Sequence, residues 1–238
     1  MRTVVLVDGE HYPPVTRWAV ETASERGHEV VGAVFVGGTE KIDPTKLPDI
    51  GVPTLAAGDD RMAALAGAIV SWRPEVVLDL SDEPVLGYRE RMELAAVALT
   101  RGVRYAGADF EFVPPVEGPP IDAPTLAVIG TGKRTGKTAI SGEVARLAAR
   151  RGVDPVVVAM GRGGPAEPQI AEAGSVTLDS LVQLVRDGQH AASDYLEDAL
   201  TTGVTTIGAR RAGGGLAGAP YATNVRQAAE LAAARRPG

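Results

Sequence analysis

Nine residues, Gly130 to Thr138, read G-T-G-K-R-T-G-K-T, and their types suit the holding of a chain of phosphates. A triphosphate needs several backbone N–H donors converging on it. Glycine lets bare backbone come that close, and a following helix N-terminus adds the positive end of its dipole. Gly130, Thr131, Gly132, Thr135 and Gly136 are the expected backbone cradle. Lys137 supplies a point charge for the β- and γ-phosphates, and the Thr138 hydroxyl is the expected Mg²⁺ ligand. ATP and Mg²⁺ are therefore the expected cofactors.

The usual G-x-x-x-x-G-K-[ST] pattern wants glycine where this chain has Thr131, with Gly130 and Gly132 on either side. The form that results, G-T-x-x-x-x-G-K-T, resembles the loop of dethiobiotin synthetase and its relatives among the P-loop ATPases and GTPases. Its context agrees. Pro124 to Ile129 is an apolar, partly β-branched run that predicts a strand, and Ala139 to Arg151 has helical periodicity.

Two further glycine-rich stretches carry arginine. A strand over Pro155 to Met160 runs into Gly161-Arg-Gly-Gly-Pro165, and a strand over Val204 to Ile207 runs into Gly208-Ala-Arg-Arg-Ala-Gly-Gly-Gly-Leu-Ala-Gly218. A guanidinium fork grips phosphate or carboxylate with two parallel hydrogen bonds. Arg162, Gly163, Arg210 and Arg211 are thus expected to bind an anionic substrate. Between these loops, Leu178, Leu181, Val182 and Val185 keep core spacing on one helix, and Tyr195, Leu196, Ala199 and Leu200 on a second, over Ala192 to Thr202. Asp194, Glu197 and Asp198 have two readings, carboxylates facing the active site or an exposed acidic helix start, and the second is the commoner explanation.

To position such loops the chain needs strands alternating with helices. The first half supplies a complete set. Strands are predicted at Thr3 to Val7, Glu29 to Val36, Glu75 to Leu80 and Val103 to Ala106. Helices are predicted at Val15 to Arg26, at Asp59 to Trp72 with Met62, Leu65, Ala66 and Ile69 on one face, and at Val85 to Thr100. This predicts an α/β fold, a Rossmann-like parallel-sheet domain over residues 1–112. The prolines of Val113-Pro-Pro-Val-Glu-Gly-Pro-Pro120 exclude helix and ladder. A linker is therefore placed at 113–123 and a P-loop NTPase domain at 124–238, with a last helix at Asn224 to Arg236. Strand ends of open sheets host ligands, which draws attention to Asp8-Gly9-Glu10-His11, Gly37-Gly38 and Ser81-Asp82-Glu83. No G-x-G-x-x-G follows the first strand, so a dinucleotide site is not expected there.

At 238 residues the chain has room for two ordinary domains; it has no cysteine, hence no disulfide framework, thiolate metal site or Cys nucleophile. Its formal charge of −6 speaks against a general nucleic-acid binder. The apolar start Met1 to Val7 is too short for a signal sequence or a membrane span, so a cytoplasmic protein is expected.

The motifs G-T-G-K-R-T-G-K-T-A-I-S, A-M-G-R-G-G-P, H-A-A-S-D-Y-L-E-D-A-L and G-A-R-R-A-G-G-G-L-A-G, with the opening V-D-G-E-H-Y-P-P-V, together resemble the cyclic 2,3-diphosphoglycerate synthetase family over essentially the whole chain. The resemblance implies an ATP-dependent ligase that closes an intramolecular phosphoanhydride in 2,3-diphosphoglycerate, giving ADP and phosphate. It implies Lys137, Lys133 and Arg134 as the catalytic charges and a small polyanion as partner, with a homodimer left open. A GTPase switch, for which the N-K-x-D motif is missing, and a non-catalytic nucleotide-binding module are the alternatives. Members of the family are about twice this length, and no apolar strand ending in Asp or Glu follows Thr138 to help hold Mg²⁺. The expectation is thus an N-terminal portion of a longer enzyme or a shortened homologue, weak in catalysis by itself.

Overall fold

A computed structural model describes residues 1–38, 47–116, 118–132, 134–161 and 163–237. The chain divides into two compact units, Met1–Glu117 with Leu216–Ala219, and Gly118–Gly215 with Pro220–Gly238.

In the first unit β1 (Arg2–Val7), β2 (Glu29–Phe35), β3 (Thr54–Ala56), β4 (Val76–Asp79), β5 (Arg104–Ala106) and β6 (Glu111–Phe112) form one six-stranded sheet in the order β3-β2-β1-β4-β5-β6. All neighbours are parallel except β5 and β6. Helix α1 (Pro13–Glu25) starts on two prolines, whose fixed φ suits a first turn where N–H groups have no helical partner. Helix α2 (Arg61–Trp72) is capped by Asp60, which accepts from the Ala63 N–H, and α3 is Tyr88–Leu99.

The pleat of β1 sorts its residues between two cores. Val4 and Leu6 face Leu65, Ala68 and Ile69 of α2 and Leu94, Ala95 and Ala98 of α3, while Val5 and Val7 face Val20 of α1. A strand buried on both faces reads as a continuous apolar run, which is why T-V-V-L-V was legible. The buried stripe of α2 is turned from the expected one: Leu65, Ala68 and Ile69 are buried, and Met62 is exposed. Gly32 of β2 makes room for the Trp72 indole, which a Cβ there would meet at 2.7 Å.

The second unit contains α4 (Lys137–Arg150), β7 (Val156–Gly161), β8 (Gln169–Ala171), α5 (Leu178–Arg186), α6 (Asp194–Thr202), β9 (Thr205–Ala212), β10 (Ala222–Thr223) and α7 (Val225–Ala234). Strand β9 pairs in parallel with β7 along its length, and antiparallel with β8 and β10. Ile207 and Ala209 pack on Ala228 and Ala232 of α7. Ala159 packs with Tyr195, Leu196 and Ala199 of α6, joined by Leu181 and Leu184 of α5.

Three expectations fail here. Residues 124–129 join no sheet, and Leu126 and Ile129 are 71% and 89% exposed. Propensity alone makes no strand: it needs a ladder, and none forms to this run, although among the described residues β7 pairs on one side only, with β9. Leu178, Val182 and Val185 of α5 are exposed rather than core, because the one neighbouring cluster takes the Leu181 and Leu184 side of this nine-residue helix. Finally, Arg210 and Arg211 belong to a strand, since β9 runs on past Ile207 to Ala212.

Candidate active site

Before α4 the backbone turns sharply, with Arg134 at φ 59° and Gly136 at φ 83°, both left-handed. Gly136 occupies the N-cap position with no side-chain cap, and Lys137 is the first helical residue. The first helical bond of α4 runs from the Ile140 N–H to the Gly136 carbonyl, so the N–H groups of Lys137, Thr138 and Ala139 have no intrahelical acceptor. Exposed N–H groups at the positive end of a helix dipole form an anion site. The Lys137 ammonium folds back over the loop onto the Gly132 carbonyl and reaches Thr135 Oγ1 at 3.3 Å. Thr135 Oγ1 in turn donates to Gly132 O at 3.2 Å. Lysine held by neutral oxygens is free to exchange them for phosphate. This donor set of glycine backbone, ammonium and hydroxyl fits a polyphosphate with a hard cation such as Mg²⁺. Lys133 lies outside the described residues, and Arg134 is exposed.

The loop after β7 is tied to β9 by its backbone. Gly164 lies so close to the Ala209 carbonyl that a Cβ would approach it to 2.0 Å, which no other residue permits. Pro165 O accepts from Arg210 Nε at 2.8 Å and from Asn224 Nδ2 at 3.2 Å, while Asn224 Oδ1 accepts from the Arg210 N–H at 2.7 Å. Asn224 was invisible to sequence reasoning, which took it only as a helix start. Arg210 therefore stands beside the glycine loop with part of its guanidinium already committed. Arg211 is its neighbour in an extended strand, and successive side chains of a strand point to opposite faces. One ligand meets one of the pair directly. Arg162 lies outside the described residues.

Helix α6 contributes what the sequence ranked low. Its Asp198 Oδ1 and Thr202 face Gly142 of α4, and Asp194 Oδ2 would lie 2.8 Å from a Cβ on Gly161, the last residue of β7. Helix α4 precedes β7 and α6 precedes β9, and these strands are parallel, so both helices start at the C-terminal edge of the sheet. Thr138 sits one turn before Gly142 on α4, and Asp194 one turn before Asp198 on α6. Asp194 is thus level with Thr138, at the sheet edge where ligands of such folds bind. The i, i+4 repeat of Asp194 and Asp198 was the available signal. Asp198 is 3% exposed, and burial, with Glu197 and Asp194 nearby, pushes its carboxyl up to about 6.

The first unit has its own polar crevice, where the strand order reverses between β1 and β4, a cavity of about 390 Å³ lined by Asp8, Glu10, His11, Asp82, Glu83 and Val85 among others. Asp8 is buried and accepts from the backbone N–H groups of Glu10, His11 and Asp82 and from His11 Nδ1 at 2.7 Å. Burial raises the Asp8 carboxyl, but the Asp82 N–H and the His11 ring outweigh it and hold it below its usual value. The bond to Asp8 raises the His11 imidazole in turn. Below, Asp79 is held by Ser81, by Arg91 Nε at 3.0 Å and by the Tyr105 hydroxyl at 2.9 Å, which fixes the loop carrying Asp82 and Glu83.

A glycine-rich turn opening into the bare first turn of α4, with glycine and arginine at the ends of two parallel strands, defines the class: a P-loop domain accompanying a doubly wound α/β domain. Residues 2–113 match the family model described as "Cyclic 2,3-diphosphoglycerate synthetase, N-terminal domain", and 125–236 the one described as its "P-loop domain". The chain belongs to the cyclic 2,3-diphosphoglycerate synthetase family. A protein of that name from Rubrobacter xylanophilus is 51% identical over 236 residues, covering 98% of this chain and 53% of the relative. Namesakes from Thermococcus kodakarensis (50% over 234 residues; 96% and 52%) and Methanothermus fervidus (42% over 241; 97% and 52%) are also similar. The chain spans about half the length of these relatives. Among the described residues no helix is long and apolar enough to cross a membrane.

Proposed function

We propose that this chain carries the ATP- and substrate-binding apparatus of a ligase that converts 2,3-diphosphoglycerate to its cyclic phosphoanhydride, with ATP going to ADP and phosphate. The observation that carries the reading is the P-loop at α4, with the β7 and β9 loop ends in the same unit. An oxygen of one substrate phosphate bonds to the γ-phosphorus as its bond to ADP breaks. An oxygen of the neighbouring substrate phosphate then attacks the activated phosphorus, closing the ring and releasing inorganic phosphate. In such transfers the protein chiefly positions groups and neutralises charge. Lys137 and the Gly130–Thr138 backbone hold the nucleotide phosphates. Thr138 and Asp194 are the residues that would hold Mg²⁺. Lys133 and Arg134 bring charge between the two ligands, and Arg162, Gly163 and Arg210 grip the substrate, with Arg211 adding field from the other face. The protein acts in the cytoplasm on a small polyanion, and a homodimer is the assembly to test.

Phosphorus NMR of the chain with Mg-ATP and 2,3-diphosphoglycerate is the direct test. Signals for ADP, phosphate and a new anhydride pair, lost in Lys137→Ala, support the proposal. Nucleotide binding with no binding of 2,3-diphosphoglycerate would return the chain to the nucleotide-binding-module reading.

A further inference from the structure

We infer that His190 is a substrate-binding residue that takes up a proton when a phosphate-bearing ligand enters the loop after β7, an inference that rests on that loop being the substrate site. A Cβ built on Gly163 would sit 2.6 Å from His190 Nε2. Gly163 does not have a positive φ, so what glycine provides there is room for the imidazole. Three residues on, Ser193 Oγ donates to the Gly163 carbonyl at 2.8 Å. The segment leading into α6 thus clasps the loop from one side, as Arg210 Nε holds Pro165 from the other.

His190 is exposed, and none of the ion pairs among the described residues involves it. The charged residues on the adjoining elements are Asp179, Arg186 and the C-cap Asp187 of α5, Asp194, Glu197 and Asp198 of α6, and Arg210 and Arg211 of β9; Asp187 accepts from Gln183. A phosphate monoester is mostly a dianion at pH 7.5, and an opposite charge within hydrogen-bond reach favours the charged form of an imidazole. The cation appears where it is useful, in a chain whose formal charge is −6.

The experiment is calorimetric titration of 2,3-diphosphoglycerate into the chain with Mg²⁺ and a non-hydrolysable ATP analogue at pH 7.5, in buffers of different ionisation enthalpy. Wild type is expected to show buffer-dependent heats that report net proton uptake on binding; in His190→Gln, with an unchanged melting curve, that uptake is lost and binding is about tenfold weaker. Undiminished proton uptake in His190→Gln overturns the inference while leaving the substrate site standing. Absence of binding by wild type in every buffer brings down the substrate-site reading, and this inference with it.

Discussion

Asp198→Asn should stabilise the second unit at neutral pH. The carboxyl is 3% exposed, faces Gly142 of α4, and is pushed up to about 6 by burial and then by Glu197 and Asp194. In the unfolded chain it titrates near 3.8. The native state therefore binds the proton more tightly, so this group's stabilising contribution is complete below pH ~3.8 and is lost as pH rises through about 6. The span between the two values corresponds to about 3 kcal/mol at 1.36 kcal/mol per pH unit. Asparagine has the same shape and no charge, but its buried amide keeps some desolvation cost, which leaves a gain of about 2 kcal/mol at pH 7.5. Both tryptophans, Trp18 and Trp72, lie in the first unit, so circular dichroism in urea, without nucleotide or Mg²⁺, is the appropriate probe. The gain should shrink toward zero by pH 4. A difference independent of pH, or a destabilised variant at pH 7.5, would mean that the Asp198 carboxylate does not cost the fold stability.

Asp8→Asn should lower the His11 imidazole back toward its ordinary range, because the bond to Asp8 is the leading cause of its rise; the His11 ring protons in an NMR pH titration report it. Arg91→Met should destabilise the first unit by roughly 3 to 5 kcal/mol, since it strips Asp79, 6% exposed, of its cation; urea unfolding followed by tryptophan fluorescence measures this, and a loss below 1 kcal/mol would count against a buried pair. Arg210→Ala should weaken 2,3-diphosphoglycerate binding by about one to two orders of magnitude, given roughly 1.5 to 3 kcal/mol per charge-assisted bond. Wild-type affinity in that variant would make Arg210 a structural clamp for Pro165 and nothing more.

The first unit was legible because its signals are local. T-V-V-L-V and V-V-L-D are buried on both faces, and Asp60 caps α2 as its position before the apolar stripe suggests. The short strands β3, β6, β8 and β10 were missed, since two or three residues carry no periodicity and exist only through their ladders. The run 124–129 failed for the converse reason: propensity was present, and pairing was not. In the site, glycines and Lys137 announced themselves by type. Asp194, His190 and Asn224 did not, because their significance comes from Gly161, Gly163 and Pro165, which are far away in sequence and are brought close only by the packing of α6 and β9.

Calorimetric titration of Mg-ATP into the chain and into Lys137→Ala tests the nucleotide site directly. Lys137 rests on loop oxygens and not in a core, so the variant should melt as wild type does. Wild type should show a saturable site, and Lys137→Ala an affinity at least tenfold weaker. Equal affinity in a folded variant would mean that Gly130–Thr138 is not where the nucleotide binds.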